Sequence, residues 1–228
     1  MSLFLLYLPL WLLALLLYVL VRRRAYLVSP CFFMYAAFGV AACVARFVTR
    51  NHPHPYFDTY WITEGIFCVL GMLAMYEVLR TALKALPCAW WARVVFPLLL
   101  LASVELSLVR THAAPPQAEI RMFWVLIGEM AVRFAQVFIF AGLASLVPLI
   151  GLRWHRYSFG VALGFGLYAT VMLVNTTRLA DSGTRFTATW GVISTATYSV
   201  SVLIWIWFFW MPPKVTGLGP RTIEPAVS

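Results

Sequence analysis

The chain has 228 residues, of which 63% are hydrophobic and only 11% are charged, and its mean hydropathy is +0.86. Soluble domains carry about 25% charged residues, and a water-soluble fold of this length cannot bury so much apolar surface, so lipid is the predicted solvent for much of the chain. The formal net charge of +9 comes without a basic stripe interleaved with aromatic residues, which argues against nucleic-acid binding.

Seven apolar segments follow one another along the chain, each near the roughly 20 residues that a helix needs to cross about 30 Å of hydrocarbon. They run approximately over residues 3–21, 30–48, 57–83, 91–109, 122–150, 157–177 and 186–211. The short alternating segments of a membrane β-barrel do not occur in the sequence. The sequence therefore predicts an all-α integral membrane protein: a single seven-transmembrane-helix bundle over residues 1–211 and a short flexible tail over 212–228.

The first apolar segment is followed, not preceded, by positive charge at Arg22, Arg23 and Arg24. A signal peptide has the opposite arrangement, so this segment is predicted to be an uncleaved first helix with its N-terminus outside. With that orientation the lysines and arginines are biased toward the inside, which favours a cytoplasmic C-terminus and a multi-pass protein of the plasma or cytoplasmic membrane. The inner group is Arg22, Arg23, Arg24, Arg80, Lys84, Arg93, Arg153, Arg156, Lys214 and Arg221, and the outer group is Arg46, Arg50, Arg110, Arg121, Arg178 and Arg185.

Four ionisable residues fall in the outer halves of predicted spans: Glu64, Glu105, Glu129 and Arg133. Each ionised side chain within a span costs roughly 2.5 to 3.5 kcal/mol on insertion scales, so such groups usually face the bundle interior and mark function. Glu129 and Arg133 are four positions apart in "IGEMAVRF" and are predicted to pair on one helix face. Glu64 and Glu105 have no such local partner, so either Arg133 bridges to one of them or one is protonated.

Polar residues of the last two helices lie at the same predicted level. Asn175 is near the outer end of the sixth helix, and one face of the seventh carries Thr187, Gly191, Ser194, Tyr198 and Ser201. The inner halves of these helices are more apolar, which predicts a cavity that opens to the outside. The candidate ligand or proton site is therefore Glu64, Glu105, Glu129, Arg133, Asn175, Ser194 and Tyr198. The alternatives are hydroxyl packing between helices and a purely structural ion-pair network.

Two further motifs concern packing. Gly160 and Gly164 form G-x-x-x-G, which predicts a close helix contact inside the bundle. Trp205, Trp207 and Trp210 are predicted to be interfacial anchors on the inner side.

Cofactor and catalytic motifs are weak or lacking in the sequence. His52 and His54 form H-x-H in "NHPHP", a weak candidate for a metal site. The lysines, Lys84 and Lys214, both fall in predicted loops, which excludes a retinal Schiff base within a helix. Hydrolase and metalloprotease motifs do not occur. We therefore expect no cofactor and no catalytic residue, and rank enzyme chemistry last.

The favoured hypothesis is a small-ligand sensor or receptor-like module with an outward-facing polar pocket that signals through a separate partner. One alternative is a small-solute or proton-coupled transporter that uses the carboxylates, and another is a structural subunit of a membrane complex. The expected partners are the lipid bilayer, an unknown small ligand and a signalling or complex partner. If Glu64 serves a ligand, Glu64→Gln should leave folding nearly intact; a structural carboxylate would need a tertiary cation, most plausibly Arg133.

Overall fold

The described part of the chain is almost entirely helical. In a computed structural model that describes residues 3–83, 91–111, 120–149, 155–182 and 187–211, seven α-helices form and these residues contain no strand. The helices are α1 (Leu3–Arg22), α2 (Pro30–Thr49), α3 (Pro53–Leu83), α4 (Trp91–Thr111), α5 (Ile120–Leu149), α6 (Arg156–Ser182) and α7 (Thr187–Trp210), with a 3-10 turn at Ala25–Leu27. Each predicted apolar segment is a helix. The predicted tail, residues 212–228, lies outside the described residues.

Five helices contain stretches that are long and apolar enough to cross a membrane. These stretches are Pro30–Thr49, His54–Leu83, Ile127–Leu146, Arg156–Asn175 and Gly191–Trp210. Within the described residues, α1 and α4 supply shorter apolar stretches, Leu8–Arg22 and Val94–Val109. The helix content and hydropathy are those of a membrane protein.

Six helices form a closed ring in the order α1, α2, α3, α5, α6, α7, and α7 packs back against α1. Helix α3 also contacts α6, whereas α4 packs mainly against α5 from outside the ring. The N-terminal halves of α1, α3, α5 and α7 meet the C-terminal halves of α2 and α6 at one end, which we call the N-terminal end of the bundle. The opposite end is called the C-terminal end.

A cluster of large aromatic side chains fills the bundle toward the C-terminal end. Phe32, Phe165, Trp205 and Phe209, called the aromatic cluster, are all at most 1% exposed. The Phe32 ring lies 5.1 Å from that of Trp205 and 5.5 Å from that of Phe209. Because these residues come from α2, α6 and α7, the cluster joins three helices.

Trp205 is therefore not an interfacial anchor, and that prediction is wrong. Residues four apart share a helix face, so Trp205 points inward with Phe209, while Trp207 lies on the other face and is exposed. The indole of Trp205 lies directly against Gly164, where a Cβ atom would collide with it. The predicted close helix contact at this glycine, inside the bundle, is confirmed.

Two helix ends at the C-terminal end of the bundle are capped by distant charges. The Glu77 carboxylate accepts hydrogen bonds from the backbone N–H groups of Cys31, at 3.0 Å, and Phe32, at 3.4 Å, in the first turn of α2. The guanidinium of Arg23 donates to the Trp210 carbonyl at the end of α7, at 2.6 Å. An anion at a helix start and a cation at a helix end both complement the helix dipole.

Candidate functional site

The N-terminal end of the bundle contains a cavity of about 470 Å³. Its walls come from every helix of the ring, and none of the described side chains of α4 lines it. Its rim includes Arg50 and Tyr56, which are exposed at the facing ends of α2 and α3. Its deeper part is lined by Tyr35, Gln136 and Tyr198. The volume falls in the range of roughly 300 to 1,000 Å³ that small-molecule sites occupy.

Four charged side chains of alternating sign form a chain along the cavity wall. Arg46 Nη2 lies 3.1 Å from Glu64 Oε2, Arg133 Nη2 lies 3.6 Å from Glu64 Oε1, and Arg133 Nη2 lies 3.4 Å from Glu129 Oε1. The chain joins α2, α3 and α5. Two cations and two anions neutralise one another, which lowers the cost of placing them in an apolar bundle.

Hydrogen bonds and rings fix the two guanidinium groups. Arg46 Nε donates to Thr63 Oγ1 at 2.8 Å, and Arg133 Nη1 donates to Gln136 Oε1 at 3.4 Å. The guanidinium carbon of Arg46 lies 4.5 Å from the centre of the Tyr60 ring, and that of Arg133 lies 4.5 Å from the centre of the Tyr168 ring. Each cation is therefore held from the side by polar groups and covered on one face by an aromatic ring.

Arg133 is the most enclosed of these charges. Its side chain is 9% exposed, and its Nε is buried with no hydrogen-bond partner among the described residues. A buried donor without an acceptor is costly, so Arg133 is the least well satisfied of the four charges.

Helices α6 and α7 contribute neutral polar groups in and beside the cavity wall. Asn175 is buried and its side-chain amide donates to Ser194 Oγ at 3.2 Å. Ser194, Tyr198 and Gly191 line the cavity at intervals of three and four residues along α7. Three residues of the α7 stripe predicted from the sequence thus line the cavity, whereas Ser201 is buried and is not part of its lining.

Of the predicted site residues, Glu105 does not belong to this group. Ser103 and Ser107 are the buried residues of this stretch of α4, and Glu105, midway between them, is exposed on the opposite face. Helix α4 packs against α5 from outside the ring, and none of its side chains that the structure describes lines the cavity. The structure therefore does not bring Glu105 together with Glu64, Glu129 and Arg133.

Five of the predicted site residues line the cavity: Glu64, Glu129, Arg133, Ser194 and Tyr198. Asn175 is connected to the cavity wall by its hydrogen bond to Ser194. The prediction that Arg133 bridges to a second carboxylate is confirmed, because it contacts Glu64 as well as Glu129.

His52 and His54 are exposed at the start of α3. Pro53 opens this helix, a position where its missing N–H costs nothing. Within the part of the chain that the structure describes, no three His, Cys, Asp or Glu side chains are grouped so as to hold a metal ion.

Sequence reasoning missed Arg46, Gln136 and Tyr168. Arg46 is in the last turn of α2 and was counted with the outer loop charges, although its side chain reaches back to Glu64. Gln136 could have been predicted, since it lies three residues after Arg133, which itself lies four residues after Glu129, so all three share one helix face. Tyr168 had none, because its role depends on how α6 packs against α5.

Comparison of the chain with protein-family models, with curated proteins and with solved structures finds no match.

Proposed function

We propose that this protein is a small-ligand sensor or receptor-like membrane module that binds its ligand in the cavity at the N-terminal end. The observation that carries the proposal is the chain Arg46–Glu64–Arg133–Glu129, which lies in the wall of a ligand-sized cavity. Buried charges beside a cavity are a common feature of binding sites.

The proposed topology is a seven-span protein with the N-terminal end of the bundle outside and the C-terminus in the cytoplasm. The inward bias of lysine and arginine supports it. The cavity would then be reached from outside the cell.

The aromatic cluster favours a receptor over a transporter. Transport needs a polar path that continues to the other side, and the cavity lining stops at Tyr35 and Tyr198. Beyond them, Phe165 and Trp205 are fully buried, with their ring centres 4.9 Å apart. Helices α6 and α7 contribute residues to both the cavity wall and the aromatic cluster. Ligand binding would therefore be signalled through these two helices to a separate partner.

A cavity-filling variant provides the test. Gly191 lines the cavity, and a Cβ atom built there meets no other atom within 4 Å, so Gly191→Phe should fill the cavity and still fold. Gly128 is equally free of neighbours but is exposed outside the cavity, which makes Gly128→Phe the matched control. The measurement is a small-molecule screen by thermal stability in detergent on the three proteins.

Compounds that stabilise the wild type and Gly128→Phe, but not Gly191→Phe, would support the proposal. If no compound does so, the cavity is not a ligand site. Uptake of a stabilising compound into proteoliposomes would favour the transporter alternative.

A further inference from the structure

We propose that the C-terminal end of the bundle binds an anionic phospholipid, with the phosphate group against Arg22 and Arg23 and an acyl chain along exposed faces of α1 and α7. This site lies at the opposite end of the bundle from the ligand cavity. The inference therefore goes beyond the proposed function and does not depend on it.

A second, smaller cavity lies where the last turns of α1 and α7 meet. Its volume is about 190 Å³, and it is lined by Val19, Arg22, Arg23 and Trp210. A space of this size holds a phosphate group but not a whole lipid molecule. Arginine and tryptophan side chains are also the groups that membrane proteins place at the boundary between the hydrocarbon core and the lipid head groups.

Three consecutive arginines give this end of the bundle a concentrated positive charge. Arg22, Arg23 and Arg24 are all exposed, and none of them forms a salt bridge within the described part of the chain. Among the described non-glycine residues, Arg24 alone has a positive φ, at 53°, a conformation that favours glycine. The third charge is thus present at a conformational cost. Basic clusters beside a membrane helix attract anionic lipid head groups.

The two arginines of the cavity are suited to holding a phosphate group. Arg23 Nη2 donates to the backbone carbonyl of Trp210 at 2.6 Å, which fixes this guanidinium between the ends of α1 and α7. Since a guanidinium group has five N–H donors, further donors remain for phosphate oxygens. No hydrogen bond or ion pair within the described residues involves the Arg22 side chain, so Arg22 can bind an anion without breaking an internal contact. Charge-assisted hydrogen bonds from arginine to phosphate are among the stronger polar contacts.

An exposed face of each helix leads to this cavity. Residues of each face recur at intervals of three and four, so they lie on one side of the helix. The face of α1 consists of Trp11, Leu15, Tyr18 and Arg22, and that of α7 consists of Leu203, Trp207 and Trp210. At 1.5 Å per residue the α1 face is roughly 16 Å long, about half the thickness of the hydrocarbon core. An acyl chain along it would cross one leaflet and bring its head group to the arginines.

This combination of groups favours an anionic phospholipid over other occupants. A soluble phosphate ion would contact the arginines but leave the apolar faces unused. A zwitterionic lipid would bring its ammonium group close to three charges of the same sign. Under the proposed topology this end lies in the cytoplasmic leaflet, where anionic lipids are the source of the negative surface potential.

Lipid binding to the full chain in detergent tests the proposal. Native mass spectrometry at constant ionic strength measures the affinity for dioleoyl phosphatidylglycerol, which is anionic, and for dioleoyl phosphatidylcholine, which is zwitterionic. Arg22→Gln removes the charge without breaking a described contact, and Arg22→Lys keeps the charge. Arg80→Gln is the matched control, because Arg80 is an exposed arginine in the last turn of α3 outside the cavity lining.

We expect phosphatidylglycerol to bind the wild type about tenfold more tightly than phosphatidylcholine, the size of one charge-assisted hydrogen bond. Arg22→Gln should remove most of this preference, whereas Arg22→Lys and Arg80→Gln should keep most of it. If the arginines serve only to orient the chain during insertion, Arg22→Gln leaves the preference unchanged. That result, or equal binding of the two lipids by the wild type, would overturn the proposal.

Two further measurements locate the bound lipid. Glycerol 3-phosphate carries the phosphate group without acyl chains, and it should not displace phosphatidylglycerol at equal concentration. Displacement would assign the site to a soluble anion and overturn the lipid. Gly191→Phe should leave phosphatidylglycerol binding unchanged, and loss of binding in this variant would place the lipid in the N-terminal cavity instead.

Discussion

Arg46 of α2 and Glu64 of α3 form an ion pair 3.1 Å long, and the same carboxylate also contacts Arg133 of α5. Three helices are thus joined through one side chain that is 13% exposed. This position explains why a chain with so few charges keeps a carboxylate within α3.

Glu64→Gln should destabilise the fold by about 3 kcal/mol, because it removes one anion and leaves Arg46 and Arg133 with only Glu129. Glu64 lines the cavity and also contacts two cations on other helices, so it contributes to the fold as well as to the cavity wall. Thermal or chemical unfolding in detergent measures the loss. Glu105→Gln is the matched control, since Glu105 is exposed, and it should change stability by less than about 0.5 kcal/mol. Equal effects of the two variants would show that the ion pairs contribute nothing.

Glu129→Ala combined with Arg133→Ala should cost less than the sum of the two single changes. The reason is that each single change leaves the group of four charges with one unbalanced charge, whereas the double change removes one charge of each sign, and Glu64 keeps Arg46. The coupling energy should lie in the range of about 0.5 to 3 kcal/mol. A double-mutant cycle on unfolding free energies measures it. The same cycle with Arg80→Ala in place of Arg133→Ala should be additive, and additivity in both cycles would disprove the pair.

Gly164→Ala should destabilise the bundle by about 1 to 3 kcal/mol, because the added methyl group collides with the indole of Trp205. Gly191→Ala is the control on a neighbouring helix. Its Cβ meets no atom within 4 Å, so alanine should stabilise α7 by up to about 1 kcal/mol. Melting temperatures of the two variants provide the comparison, and a neutral Gly164→Ala would mean that α6 and α7 pack less closely than described.

The helices could be predicted from the sequence because each is a long apolar run ended by charge, glycine or proline. Their order around the ring could not, since it depends on which faces pack. This is why Glu105 was placed with the other carboxylates: its depth in α4 was readable, but the position of α4 outside the ring was not.

The site residues that could be predicted are those whose spacing along one helix places them on the same face. Glu129 with Arg133, and Gly191 with Ser194 and Tyr198, were found by their helical period. Arg46 was missed because a long side chain near a helix end can extend either to solvent or back into the bundle, and only the position of Glu64 on α3 decides between them.

The measurement that tests the cavity most directly is the reactivity of Cys43, a native cysteine in its lining. Cys31 and Cys68 are also partly buried but do not line the cavity, so single-cysteine variants compare sites of similar burial. A small membrane-impermeant thiosulfonate, applied to intact cells, should modify Cys43 faster than Cys31 or Cys68. Gly191→Phe should slow that reaction, and Gly128→Phe should leave it unchanged. If Cys43 reacts no faster than Cys68, or if Gly191→Phe has no effect on its rate, the cavity is not open to ligands from the N-terminal end.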